Sequence, residues 1–343
     1  MNPELRPDAD GVPGVLATSQ AAMQAQVADV VVFDVDGVLM DVHGSYPVVI
    51  SRAVDAFLAE QGFVADPGTV AITPEETRLF KAAGGFNSDW QLAQGGALVY
   101  LVKGRLAGTR SVDAVRAAEP GLEVITRQVA QRGGGLSGLL QVLEPLLDAR
   151  DWQAAREEWD RDRVTRLCQE YYAGERCEEI FGVPALTVRE RGLLWNERPL
   201  VSPRTLERLP FRYGIYTGRN FRETLAALEI AGLVPLFPPE AMITEDAGVR
   251  KPNPEGLFRI ARALEPRLMV YAGDNLDDWQ TAARYESERA LDDPPCLFAG
   301  VLGGSPGAVA EQLFRDRGVG LLTTGVEALM RWLEARRAAA GRA

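Results

Sequence analysis

The sequence predicts an α/β fold: a parallel sheet with helices on both faces, plus an inserted α-helical domain. Three observations predict it. Val31-Val32-Phe33 is apolar throughout and stops at Asp34-Val35-Asp36-Gly37, as a strand buried on both faces does at its carboxyl end. From Ser202 onward, apolar runs at 213–217, 241–244, 268–272, 296–299 and 319–323 alternate with helical patterns, the signature of βαβ units. Between the first run and Ser202 the alternation is missing, and helical periodicity replaces it.

Taken in order, residues 1–28 hold prolines, glycines and small polar residues with little periodicity. They are expected to be a loose lead-in. The first core strand then runs to Asp34, and alone it could bury nothing, so it must join the later strands. Tyr46, Val49, Ile50, Ala53, Phe57 and Leu58 recur at helical spacing and predict a helix over 45–61, ended by Gly62. Thr73-Pro74-Glu75-Glu76 reads as an N-cap, a first-turn proline and an acidic start. Pro145 should divide the leucine-rich stretch 136–147. Trp152, Ala155, Trp159, Leu167 and Tyr171 predict one long amphipathic helix. The layout expected is a catalytic core of 29–44 and 200–343, interrupted by a helical domain over 45–199. Gly84-Gly85, Gly95-Gly96 and Gly133-Gly134-Gly135 follow no strand and lack a Lys-Ser/Thr ending, so none reads as a phosphate loop.

Composition narrows the function. The 343 residues are 46% hydrophobic and 25% charged, as in an ordinary soluble globular protein. A net charge of −11 argues against nucleic acid or an anionic membrane as partner, since either would need a basic surface. The one histidine, His43, excludes His-based metal clusters and a Ser-His-Asp triad. Cys168, Cys177 and Cys296 include no Cys-x-x-Cys pair, which disfavours zinc sites and disulfide scaffolds. No run approaches the roughly 18 apolar residues of a spanning helix, and the acidic N-terminal stretch does not resemble a signal peptide. A cytoplasmic enzyme is expected.

The chemistry is concentrated at strand ends. Asp34 and Asp36, with Gly37 to turn the chain, suit a nucleophile and a hard cation. Ile215-Tyr216-Thr217-Gly218-Arg219 is a strand ending in a hydroxyl. Arg250-Lys251-Pro252-Asn253-Pro254 offers a lysine before a helix. Val270-Tyr271-Ala272-Gly273-Asp274-Asn275-Leu276-Asp277-Asp278 runs from a strand into clustered carboxylates. In this order the four segments resemble the motifs of the haloacid dehalogenase (HAD) superfamily, over the core from about residue 29 to residue 323. The fold implied is the HAD-like Rossmannoid sheet, and an insertion between the first and second motifs corresponds to a large C1 cap, as in subfamily IA.

The resemblance implies a phosphatase. Asp34 would be the nucleophile that forms an aspartyl-phosphate. Mg²⁺ would be held by Asp34, the Asp36 main-chain carbonyl and Asp274, with Asp278 or Asp277 orienting a bound water. Family spacing favours Asp274 with Asp278 and leaves Asp277 without a definite role. Asp36 would act as general acid and base, and its presence disfavours carbon–halogen hydrolysis. Thr217, the Gly218 amide and Lys251 would bind the phosphoryl group.

A cap closing over the strand ends implies a small phosphorylated metabolite as substrate. Ala83-Gly84-Gly85-Phe86-Asn87-Ser88-Asp89-Trp90 is the expected pocket-lining segment, with Asn87, Asp89 and Trp90 as substrate contacts. A helix–turn–helix connection capped by Asn87 or Ser88 is an equal reading of the same residues. Ser45, Tyr46 and His43 could reach that pocket, His43 more as a hinge residue. The first motif and this segment also resemble a subgroup in which some members are associated with histidine biosynthesis, which makes histidinol phosphate a candidate substrate. A phosphomutase would need a second phosphate clamp, for which Arg105, Arg110, Arg116 and Arg132 are available. A silent binding scaffold should have lost a motif residue, and none is lost.

Overall fold

The four side chains of Val30–Phe33 are fully buried, each stabilising the fold by roughly 1.5–3 kcal/mol. Val31 and Phe33 join one core with Ile215, Val270, Leu297 and Trp332, while Val30 and Val32 join a second with Tyr216, Tyr271, Phe298 and Leu322. A strand covered on both faces has no reason to alternate with polar residues. The computed structural model describes residues 5–7, 12–86, 88–303 and 307–340. They fall into two compact units, 1–42 with 197–343, and 43–196.

In the first unit an eight-stranded sheet has the order Arg6–Pro7, Val15–Ala17, Leu321–Thr323, Cys296–Val301, Met269–Gly273, Val30–Phe33, Arg212–Tyr216, Met242–Ile243. The pairs from Leu321–Thr323 to Met242–Ile243 are parallel, and those at the Arg6–Pro7 edge antiparallel. Phe33 stands opposite both Ile215 and Ala272. Three carboxyl ends therefore open side by side at one level, where an α/β sheet places its ligands.

The lead-in departs from expectation. Val15–Ala17 pairs antiparallel with Leu321–Thr323, and Thr18 caps a helix over Ser19–Gln24. Ala21, Ala25 and Ala28 are buried in the same core as Trp332 and Leu333. Their small side chains let this helix, the 3₁₀ turn over Ala25–Val27 and its C-cap pack closely, a signal that hydrophobic periodicity does not register. The two linkers also pair, Met40–Asp41 antiparallel to Arg198–Pro199. That ladder draws both into the first unit, whose boundaries fall at 42/43 and 196/197, against the expected 44/45 and 199/200.

The second unit is helical. Tyr46–Glu60 forms the expected helix, and Thr73 and Glu76 exchange side-chain and main-chain hydrogen bonds ahead of Thr77–Ala83. Gly135–Leu143 runs into a 3₁₀ turn over Glu144–Leu146 that contains Pro145. The expected long helix is two, Ala149–Glu158 and Arg161–Ala173. The break falls where Asp160 accepts from the Arg163 N–H at 2.9 Å and Trp159 Nε1 donates to the Gln94 carbonyl at 2.8 Å. An N-cap aspartate in mid-pattern outweighed the apolar period. Among the described residues no helix is long and apolar enough to cross a membrane.

Candidate active site

Asp34 directly follows the central strand, and its N–H donates to the Ala272 carbonyl at 3.0 Å, prolonging the ladder by one residue. Its side chain is buried. Oδ1 accepts from the Val35 N–H at 2.7 Å, and Oδ2 lies 2.9 Å from Lys251 Nζ. Burial raises the carboxyl to about 7; Lys251 opposes the shift, while Asp278 and Asp36 add to it.

Lys251 comes from the segment ahead of the helix Glu255–Leu264. Its ammonium lies 2.7 Å from Asp278 Oδ1 and 6.0 Å from the centre of the Tyr216 ring. Burial pulls its pKa down, but the carboxylates of Asp278 and Asp34 outweigh burial and the net shift is upward.

At the end of Met269–Gly273 the chain enters the helix Leu276–Glu288 through a capping box. Asn275 Oδ1 accepts from the N–H groups of Asp277 and Asp278, and the Asn275 N–H donates to Asp278 Oδ2 at 3.4 Å. Gly273 is required here, because a Cβ on it would lie 2.3 Å from Asp278 Cβ. Asp278 is fully buried, and Tyr271 also donates to its Oδ1, at 2.6 Å. Asp274 accepts from Asn275 Nδ2 at 3.2 Å. Burial, then Asp278 and Asp34, hold its carboxyl well above the ordinary range.

Carboxylate oxygens of Asp34, Asp274 and Asp278 lie within 4.8 Å of one another. Like charges at that spacing repel by roughly 3–4 kcal/mol per pair at an effective dielectric of 20. Three carboxylates facing one ammonium leave an excess of negative charge. An all-oxygen donor set with that excess fits a hard divalent cation such as Mg²⁺. Asp277 stands outside the group; its carboxyl is raised, chiefly by burial.

Thr217 is buried at the end of Arg212–Tyr216, its N–H bonded to the Ile243 carbonyl at 3.0 Å, and Gly218 beside it is exposed. Asp36 turns its side chain elsewhere. Its Oδ1 accepts from Arg219 Nε at 2.7 Å and lies 2.6 Å from Arg219 Nη2, which is 3.0 Å from Glu197 Oε2.

Asp34, Asp36, Thr217, Gly218, Lys251, Asp274 and Asp278 thus all belong to the first unit. Asp89 and Trp90 belong to the helical unit, and Asn87 lies outside the described residues. The helices Thr77–Ala83 and Asp89–Ala107 stand on either side of this segment. Ser88 caps Asp89–Ala107 by accepting from the Gln91 N–H, and Asp89 pairs with Lys81 at 2.8 Å. Trp90 lies 5.8 Å from the Tyr46 ring and 6.2 Å from those of Tyr172 and Phe181. Tyr46 stacks on Tyr172 at 4.9 Å, Ser45 is buried and His43 is exposed.

Sequence reasoning missed Tyr271, Asn275, Glu197 and the role of Arg219. Tyr271 and Arg219 stood inside the quoted motifs, but Tyr271 reads as an apolar strand residue and Arg219 as a solvated charge. Glu197 carries no local signal.

Fold and site together define an α/β enzyme with its chemistry gathered at neighbouring parallel strand ends. A model of the haloacid dehalogenase-like hydrolases matches residues 28–285, and the chain belongs to that family. Among solved structures it is similar to phosphatase Tt82 from Thermococcus thioreducens, at 24% identity and a TM-score of 0.51, covering 83% of this chain and 98% of that one. It is also similar to a Northeast Structural Genomics Consortium target, at 18% identity and a TM-score of 0.62, covering 89% and 98%. No curated protein matches the chain.

Proposed function

We propose that this hydrolase is a Mg²⁺-dependent phosphomonoesterase acting on a small phosphorylated metabolite through an aspartyl-phosphate. The observation that carries the reading is the contrast between two carboxylates of one motif. Asp34 is buried against Lys251, whereas Asp36 is 36% exposed at its side chain and turned away from the carboxylate group. One is built as a nucleophile, the other as a proton carrier.

Asp34 attacks phosphorus as the bond to the leaving oxygen breaks, and Asp36 gives that oxygen its proton. The Asp36 carboxylate then takes a proton from water as the water attacks phosphorus. The Asp34–phosphorus bond breaks, and inorganic phosphate leaves. Thr217, the Gly218 amide and Lys251 bind the phosphoryl oxygens. Asp34, the Asp36 carbonyl and Asp274 would hold Mg²⁺, with Asp278 behind them fixing Lys251. A divalent cation there would supply the positive charge that keeps Asp34 ionised and offsets its repulsion from the phosphate dianion.

Hydrolysis is favoured over phosphoryl relocation because three of the four arginines available for a second phosphate clamp are paired with carboxylates. Arg105 and Arg110 share Glu158 at 2.7 and 2.9 Å, and Arg116 pairs with Glu76 at 2.9 Å. Asn87, Asp89 and Trp90 are assigned to leaving-group recognition. The name of the Thermococcus relative agrees with a phosphatase, and three buried free cysteines agree with a reducing, cytoplasmic setting. The test is phosphate release from a panel of phosphorylated metabolites with Mg²⁺, histidinol phosphate among them. Release from one small ester well above the rest supports the reading, and none from any ester overturns it.

A further inference from the structure

Arg219 is a buried charge that the reaction as written does not use. Its side chain is 2% exposed, and that of its second partner, Glu197, is 0% exposed. Burying an ion pair is a poor route to stability, since apolar residues of similar volume commonly do as well or better. The arrangement is nevertheless built with care. The Arg219 N–H donates to Thr217 Oγ1 at 3.3 Å, and its carbonyl accepts from the Glu245 N–H at 2.9 Å. Glu197 immediately precedes Arg198–Pro199, the strand paired with Met40–Asp41. The guanidinium contacts with Asp36 at 2.7 and 2.6 Å fall on the same oxygen, Oδ1.

We propose that Arg219, backed by Glu197, is a positioning residue that locks the Asp36 carboxyl with Oδ2 presented to the leaving oxygen. This rests on the phosphomonoesterase reading. An aspartate on a turn can rotate about both side-chain torsions, and a proton carrier that rotates delivers less often. The planar guanidinium restrains it through two donors on one oxygen. With Oδ1 held by the guanidinium, Oδ2 is the oxygen left to hand a proton to the departing oxygen as the phosphorus–oxygen bond breaks. Glu197 anchors the guanidinium at 3.0 Å.

Leaving-group dependence provides the test, because a poor leaving group needs the proton and a good one does not. Arg219→Met should lower kcat on an alkyl phosphate by about tenfold or more, within the range of general-acid contributions. On p-nitrophenyl phosphate it should lose less than about threefold, and Arg219→Lys should recover part of the alkyl-ester rate. In an Asp36→Asn background, Arg219→Met should cost nothing further, as expected of two residues acting as one unit. Equal losses on both esters, or a full added loss in the Asp36→Asn background, would overturn the proposal. If Arg219→Met does not fold with Glu197 left buried, Arg219→Met/Glu197→Gln carries the same comparison. Glu197→Gln alone should show a smaller bias of the same kind, and unchanged alkyl-ester rates in both Glu197→Gln and Arg219→Lys would overturn the proposal. Failure here leaves phosphate release by the wild type untouched. Absence of phosphate release by the wild type would overturn the phosphomonoesterase reading itself, and the positioning role with it.

Discussion

Lys251 and Asp278 meet at 2.7 Å on the same oxygen, Oδ1, that receives the Tyr271 hydroxyl. The carboxylate is fully buried and the lysine nearly so. Asp278 Oδ1 therefore holds Lys251 at the site, while Oδ2 accepts from the Asn275 N–H. Asp278→Ala should cost roughly 3–5 kcal/mol, as for any broken buried pair, and lower kcat at least about tenfold. Tyr271→Phe removes one donor and leaves the ammonium, for about 1.5–3 kcal/mol and little loss of kcat. Urea unfolding with steady-state kinetics checks the order, and a larger catalytic loss for Tyr271→Phe would refute it.

Asp34→Asn should abolish turnover in a protein that still folds. The amide cannot attack phosphorus, yet its oxygen can still accept from Lys251. More than a few per cent of wild-type activity in folded, contamination-free protein would rule out an aspartyl-phosphate at this position.

The same substitution should alter stability in a pH-dependent way. The folded Asp34 carboxyl titrates near 7 against an ordinary 3.8, so between those values the folded state holds more protons than the unfolded. Stability from this group is fully present below 3.8 and is lost as pH rises through about 7. In EDTA, Asp34→Asn should raise Tm relative to wild type at about pH 8, and the gain should shrink towards pH 5. Thermal melts at both values check it, and a gain independent of pH would contradict the assigned cause.

Mg²⁺ should restore both activity and stability to chelated enzyme. Neutralising the cluster relieves the repulsion among Asp34, Asp274 and Asp278, and binding to the folded state alone raises Tm with concentration. Ca²⁺ should restore activity poorly, since it prefers longer distances and more ligands. Full turnover after thorough chelation would remove the metal role from Asp274.

Asp89→Ala should raise KM for the physiological ester far more than for p-nitrophenyl phosphate. Its ion pair with half-exposed Lys81 is worth at most about 1 kcal/mol, so stability should hardly change. Equal effects on both esters would assign the residue to the helical unit's architecture alone.

The sequence by itself determined the sheet, its inserted helical unit and the order of the four motif segments. Those signals are local: an apolar run that stops at a carboxylate, or a helical period that takes the place of such runs. Family spacing pointed to Asp34, Asp274 and Asp278, but how the carboxylates converge was decided by tertiary structure. Asp277 and Asp278 are adjacent and alike in sequence, and only the capping box on Asn275 turns Asp278 inward to Lys251 and leaves Asp277 outside. Arg219 and Glu197 meet across 22 residues of chain, a pairing without a periodic signature. The strand Val15–Ala17 shows the same limit, because three residues acquire their meaning only beside Leu321–Thr323. Local pattern is written in side-chain order, whereas convergence depends on where distant strand ends come to rest.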